Sequence, residues 1–228
     1  MKSLFASIAA RYDGMNRVMS LGCDRRWRRA SLASVDLPPQ ATVLDVACGT
    51  GDFTEAVLQR FPTAAVTGVD LTPEMLAIAR RKLAGCVHAT FREGDAQTLA
   101  GFPDAAFDLA VCAFGFRNFP AKEKALAACR RVLKPTGRLI VLELFRPRSR
   151  VFGALVNAWL AAVAFVFAHG ARKAYAYLRR SVAGTVSASE FCALAEAEGF
   201  TLCGRRAIFP SATLLVLRPS SPGRIPRE

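Results

Sequence analysis

Metal-ligand spacings are missing from this sequence. Its seven cysteines form no C-x-x-C pair, and it holds only two histidines. An odd cysteine count without that spacing argues against a disulfide framework or a zinc module and suggests a reducing cytoplasm, with no metal site expected. Low hydrophobicity, the mark of disorder, is also absent: 52% of residues are hydrophobic and the mean hydropathy is +0.24. No internal repeat or low-complexity stretch precedes the tail, where Pro219, Pro222 and Pro226 stand with Ser220, Ser221 and Gly223. A secretory leader is not expected, because Arg11 and Asp13 cut the first apolar stretch short; it reads as the opening turns of an amphipathic helix.

Acidic residues are scarce, 18 against 31 basic ones, a formal charge of +13 over 228 residues. That length suits a single domain with embellishments. Residues 1–36 carry 7 basic and 3 acidic side chains, residues 37–145 carry 12 and 11, and residues 146–228 carry 12 and 4. The basic excess therefore sits on the flanks, where nucleic acid or anionic lipid is a possible counterpart. Val151–Gly170 contains no charge, and about 20 uncharged residues is the length of a membrane span. Arginines precede it and Arg172 and Lys173 follow it, against the one-sided bias of a span. A buried or interfacial helix is the expected form, with a true span as the alternative.

Between residues 41 and 145 short apolar runs alternate with helical spacing. Strands are expected at Thr42–Ala47, Ala65–Asp70, Thr90–Gly94, Phe107–Ala113 and Arg138–Leu144. Helices are expected at Thr54–Arg60, at Pro73–Leu83 with Thr72 as N-cap, and at Lys122–Leu133 before a Lys134–Gly137 turn. Such alternation with near-continuous apolar strands predicts an α/β fold, a mostly parallel sheet with helices on both faces. A helix at Glu190–Glu198, closed by Gly199, and a hairpin of Leu202–Phe209 and Thr213–Arg218 around Pro210-Ser211 complete it.

The strand at Val43–Ala47 runs into Cys48-Gly49-Thr50-Gly51-Asp52 and opens a helix. This brings backbone N–H groups close to a ligand, and a Cβ at the glycines would block the approach. Thr54 stands where a dinucleotide site needs a third small residue, which disfavours a pyrophosphate. Asp70 ends the second strand 19 residues after Gly51, where an acid accepts from ribose hydroxyls. Asp95 ends the third strand, within reach of an adenine amine. Each acid alone is also a plausible helix cap. Cys48 has no basic neighbour to activate it as a nucleophile, and the other cysteines read as small core hydrophobes.

These features resemble the class I S-adenosylmethionine-dependent methyltransferases. Three further stretches resemble the ubiquinone/menaquinone biosynthesis C-methyltransferases (UbiE/MenG): Tyr12-Asp13-Gly14-Met15-Asn16 with Ser20 and Trp27, Phe114-Gly115-Phe116-Arg117-Asn118, and Arg131–Gly137 with Glu143. The likeness runs from about residue 5 to residue 145 and recurs weakly at Tyr177-Leu178, Ser181 and Gly199-Phe200. It implies a Rossmann-like fold with a mostly parallel seven-stranded sheet and a C-terminal antiparallel hairpin. The expected organisation is an N-terminal helical lid at 1–36, a cofactor-binding core at 37–145, a substrate-side apolar helix with C-terminal helix and hairpin at 146–218 completing the same domain, and a flexible tail at 219–228.

The resemblance implies S-adenosyl-L-methionine as cofactor, with contacts from Asp45, Gly49, Thr50, Gly51, Asp70, Leu71, Asp95, Ala96 and Ala113. It implies methylation of a ring carbon of a prenylated quinol, demethylmenaquinol to menaquinol, with Arg117, Asn118 and Tyr12 as candidate catalytic residues. Arg117 acts in this reading as a fixed cation that lowers the quinol pKa, since arginine stays protonated. The working place is the cytoplasm, peripheral at the inner face of the cell membrane, against an anionic surface; nucleic acid is not an expected partner, and a homo-oligomer is left open. Departures from the family pattern are Asp24 for His, Thr136 for Gly, Phe145 for Ser and Ala113 for a frequent Ser, and residues 150–185 match poorly. The rival readings are a methyltransferase of another small aromatic or lipid and an RNA-binding protein that kept the fold. In the latter, the run Arg25-Arg26-Trp27-Arg28-Arg29 would grip phosphate and stack Trp27 on a base.

Overall fold

The computed structural model describes residues 2–147, 149, 153–155, 158, 161, 177, 180–208 and 212–220. The apolar segment Val151–Gly170, the Pro210-Ser211 turn and most of the tail lie largely outside the described residues. Five strands are consecutive with helices in the core: β1 (Thr42–Val46), β2 (Ala65–Asp70), β3 (Ala89–Glu93), β4 (Phe107–Ala113) and β5 (Leu133–Glu143). A hairpin of β6 (Phe200–Ile208) and β7 (Ala212–Pro219) follows. They form one sheet in the order β3-β2-β1-β4-β5-β7-β6, with β7 alone reversed. The strand order turns round between β1 and β4, so a crevice opens there at the carboxyl ends.

Among the described residues the helices that frame the site are α1 (Lys2–Met19), α2 (Asp24–Leu32), α3 (Asp52–Arg60), α4 (Pro73–Lys82), α5 (Lys122–Val132) and α6 (Ala188–Ala197). Alternate residues of each strand feed opposite cores. Val43, Leu109, Val111 and Ile140 pack with Leu32 of α2 and with Phe53 and Val57 of α3. Leu44, Val46, Ala110 and Val141 pack with Leu126 of α5 and Phe191 of α6 on the other face. Both sheet faces are covered, which is why the central strands read as continuous apolar runs.

Three local expectations are corrected, while Thr72 keeps its expected cap position. Lys134–Gly137 is a bulge inside β5 rather than a turn before it, since Phe107 pairs with Leu133 and Leu109 with Arg138. Thr72 occupies the cap position of α4, but its side chain makes no capping bond; its N–H donates instead to Asp70. The last helix begins two residues earlier than expected because Ser187 and Glu190 form a capping box. Pro219, assigned to the tail, closes β7 opposite Phe200, and Thr201 and Ser220 share a hydroxyl hydrogen bond.

The departures from the family pattern are accommodated by their neighbours. Phe145 is buried against Phe191, ring centroids 5.2 Å apart. Thr136 is exposed on the bulge. Asp24 is buried, accepts from the Ser20 hydroxyl at 3.2 Å and pairs with Arg28 at 3.0 Å, one helical turn on.

Candidate functional site

The crevice is a cleft of about 250 Å³ at the ends of β1, β2 and β4, roofed by Lys2, Phe5 and Tyr12 of α1. Its floor is strained backbone. Ala47 (φ 55°) after β1 and Phe114 (φ 60°) after β4 are non-glycine residues in the left-handed region, one on each side of the strand reversal. Such strain persists only where surrounding bonds hold it. Here the Phe114 N–H donates to Leu142, and its carbonyl accepts from Arg117 at 2.7 Å and from the Asn118 side chain at 3.1 Å.

Of the residues expected to contact the cofactor, Gly49, Asp70, Leu71, Asp95, Ala96 and Ala113 line the cleft. Asp70 braces the glycine turn: one carboxylate oxygen accepts from Gly49 N–H and the other from Thr72 N–H, each at 2.9 Å. Burial raises the Asp70 carboxyl above its ordinary value, against the pull of these bonds. Asp95 accepts from Gln97 N–H at 2.8 Å through one oxygen.

Asp45, Thr50 and Gly51 do not line the cleft and stand one layer behind it. Asp45 is buried and accepts from the N–H and hydroxyl of Thr54 at 2.9 and 2.7 Å, tying β1 to α3. The Thr50 hydroxyl donates to Asp13. Gly51, at φ 82°, lies where a Cβ would meet Ala79 at 3.2 Å, so it lets α4 approach the turn. Cys48 is buried with its Sγ close against Gly68, and burial, then Asp45 and Asp70, push its thiol well up. It is no nucleophile.

Asn118 and Tyr12 line the cleft; Arg117 does not. Its Nη1 pairs with Glu143 at 2.8 Å, and its backbone N–H donates to the other Glu143 oxygen at 3.0 Å. Burial acts to lower the arginine, yet Glu143 and Tyr12 hold it above its ordinary value. Arg117 instead lines a second, smaller pocket of about 30 Å³ behind Tyr12, together with Asn16, Tyr177 and the apolar face of α1. Phe5 and Tyr12 belong to both cavities. The Tyr177 hydroxyl donates to Asn118 Oδ1 at 2.9 Å, and burial raises both tyrosines.

The basic run of α2 is divided by its helix. Trp27 and Arg28 are buried, whereas Arg25, Arg26 and Arg29 are exposed. Trp27 packs against Leu142 and Phe114, so no base can stack on it. Arg28 reaches Asp24 and, at 3.8 Å, Asp52. Lys82 at the end of α4 joins Asp52 to Asp13 of α1. Sequence reasoning missed Lys82, which no local feature distinguishes from Arg80 and Arg81. It also left Tyr177 without a role.

The ubiE/COQ5 methyltransferase family model matches residues 1–208, past the end of the sequence-level likeness. A demethylmenaquinone methyltransferase of Deinococcus radiodurans is 42% identical over 94% of this chain and 90% of its own length. One of Thermus thermophilus is 42% identical over 87% of this chain and 92% of its own. A ubiquinone/menaquinone biosynthesis C-methyltransferase of Geobacter sulfurreducens is 39% identical over 87% and 80%. Among solved structures, a SAM-dependent methyltransferase from Aquifex aeolicus superposes with a TM-score of 0.63 at 18% identity, covering 89% of this chain and 97% of that one. The YcgJ protein of Bacillus subtilis gives 0.66 at 19%, covering 87% and 99%.

Proposed function

The chain belongs to the ubiE/COQ5 methyltransferase family, and from that premise we propose that it methylates a ring carbon of a prenylated quinol, converting demethylmenaquinol to menaquinol. It is a methyltransferase of quinone biosynthesis with the class I fold. The observation that carries the substrate reading is the position of Tyr12. It stands between a cleft with acids at its strand ends and an apolar pocket that holds a buried arginine. A cleft suited to a nucleoside and a small pocket suited to one oxygen of a ring therefore abut.

The cleft suits S-adenosylmethionine. A Cβ on Gly49 would meet nothing closer than Tyr12 at 3.9 Å, so the glycine leaves room for a ligand over the turn. Asp70 would take the ribose hydroxyls and Asp95 the adenine amine, with Leu71 and Ala96 flanking the base. When bound, the cofactor supplies an activated sulfonium methyl. The chain's work is to align the acceptor carbon, exclude water and favour the ionised quinol. Arg117, kept charged by Glu143, is a fixed cation for that oxyanion; Asn118 and Tyr12 orient the ring. Tyr12 stays a neutral phenol at neutral pH, since its pKa is raised.

Among the described residues no helix is long and apolar enough to cross a membrane. The exposed Arg25, Arg26 and Arg29 beside the lid support work at an anionic membrane surface on its cytoplasmic face, where a prenyl tail is held. The test is methyl incorporation from labelled S-adenosylmethionine into demethylmenaquinol and into a demethylated ubiquinol precursor. Turnover of the first supports the reading; turnover of neither overturns it.

A further inference from the structure

Four buried polar side-chain atoms have no hydrogen-bond partner among the described residues: Asn16 Nδ2, Arg28 Nε, Arg117 Nε and Thr185 Oγ1. Leaving a buried donor unpaired costs stability, and a charged one costs more. Two of the four belong to residues that line one small pocket, the 30 Å³ space behind Tyr12. One comes from α1 and the other from the turn after β4. The other side chains lining that space are Leu4, Phe5, Ile8, Met15 and Met19, with two tyrosines. Both donor atoms are closed to solvent in this structure, so a ligand oxygen reaches them only by displacing their apolar neighbours; the space beside them is large enough for about one oxygen atom.

We propose that Asn16 is a substrate-binding residue: its Nδ2 and Arg117 Nε form a two-donor seat for one ring oxygen of the quinol. The inference rests on the quinol reading of this site and assigns a ligand to a side chain that faces the Tyr12 hydroxyl without closing a hydrogen bond to it. Arg117 Nη1 is already engaged by Glu143 and by the Phe114 carbonyl, 2.8 and 2.7 Å away. Its Nε edge is the part left for a ligand. The ring lies in the cleft against Phe5 and Tyr12, the two residues common to both cavities, whose own rings touch edge-on with centroids 6.1 Å apart and part to admit one oxygen to the seat. The seat binds that oxygen and holds the ring in register with the cleft; no bond is made or broken there.

The test measures affinity by calorimetry under argon, with S-adenosylhomocysteine present. The ligands are a short-chain 2-prenyl-1,4-naphthalenediol and the two mono-ols lacking one or the other hydroxyl. The wild type should bind the diol about ten- to a hundredfold more tightly than the mono-ol that leaves the seat empty, as for a hydrogen bond to a charged group. Asn16→Leu and Asn16→Ser should weaken the diol and leave that mono-ol within twofold, closing the gap. S-adenosylhomocysteine affinity within twofold of wild type shows that each variant is folded. Equal losses on all three ligands, or no loss on any, overturn the seat and leave the quinol reading standing; a buried water in the pocket predicts that outcome. A wild type that binds none of the three ligands and methylates no quinol defeats the quinol reading itself.

Discussion

Lys82 Nζ lies 2.7 Å from a carboxylate oxygen of Asp13, across 69 positions of sequence. The same ammonium reaches Asp52, and Asp13 also accepts from Thr50 beside the glycine turn. Asp13 follows Tyr12, so this junction sets where the roof of the cleft stands. Burial acts to lower the lysine, but the two carboxylates outweigh it and hold its pKa raised, while Asp52 is lowered. Lys82 and Asp52 therefore stay charged through neutral pH.

Replacing Lys82 by methionine leaves two partly buried carboxylates facing each other. Loss of one partner should cost about 2 kcal/mol, below the figure for a fully buried pair. It should also speed proteolysis within residues 2–19, because α1 loses its tie to α4. Lys82→Arg should retain most of both properties. Urea unfolding with limited proteolysis checks this, and an unchanged cleavage rate in Lys82→Met would show that the lid is held elsewhere.

Asp45 makes stability depend on pH in an unusual direction. Burial pushes its carboxyl from the ordinary 3.8 up to about 7, against both hydrogen bonds from Thr54. Between those two values the native state holds a proton that the unfolded chain has released. The stability from this group is thus present in acid and is lost as pH rises through about 7. From pH 5 to pH 8 the loss is about 2–3 kcal/mol. Asp45→Asn should remove that slope while still accepting from Thr54. Parallel stability curves for wild type and variant over this range would refute the assignment.

Most of the fold was legible because its signals are local. Apolar runs marked β1, β2 and β4, Gly49 and Gly51 marked the turn, and Asp70 and Asp95 fell at strand ends. Asp45, Thr50 and Gly51, expected at the cofactor, stand off the cleft for a physical reason. Asp45 lies inside β1 and its carboxylate is taken by Thr54, the Thr50 hydroxyl is taken by Asp13, and Gly51 leaves space for Ala79 of α4. Lys134–Gly137 looked like a turn because Pro and Gly punctuate chains, while the pairing of Leu133 with Phe107 depends on a neighbouring strand. Arg117 and Glu143 stand 26 positions apart, and no spacing rule joins them.

The run at residues 25–29 contains two kinds of residue, and substitution should separate them. Trp27→Ala opens a hole against Leu142 and Phe114 and should cost about 3–5 kcal/mol. Changing the exposed Arg25, Arg26 and Arg29 to Gln should each move stability by less than about 0.5 kcal/mol. Together the three changes should weaken binding to anionic vesicles by about 3 kcal/mol at low salt. Co-sedimentation with vesicles of stated phosphatidylserine content measures this. Undiminished binding by the triple variant would move the membrane contact to another surface.

Arg117 needs a more careful test than simple truncation. Its partner Glu143 is fully buried, so Arg117→Ala strands a carboxylate and should cost about 3–5 kcal/mol. Lost activity in that variant would report unfolding as readily as chemistry. Arg117→Met combined with Glu143→Gln removes both charges, keeps volume near the Phe114 ring and leaves an acceptor for the Leu144 N–H that Glu143 holds at 2.8 Å. This pair should fold within about 2 kcal/mol of wild type, since replacing both members of a buried ion pair is often nearly neutral. If the guanidinium stabilises quinol oxyanion, turnover in the double variant should fall by about a hundredfold or more, with S-adenosylmethionine affinity within threefold. The residual rate should also rise with pH more steeply than in wild type, because the substrate must then ionise without a neighbouring cation. Equal losses in turnover and cofactor affinity would reduce Arg117 to the brace that holds Phe114 and Glu143 in place.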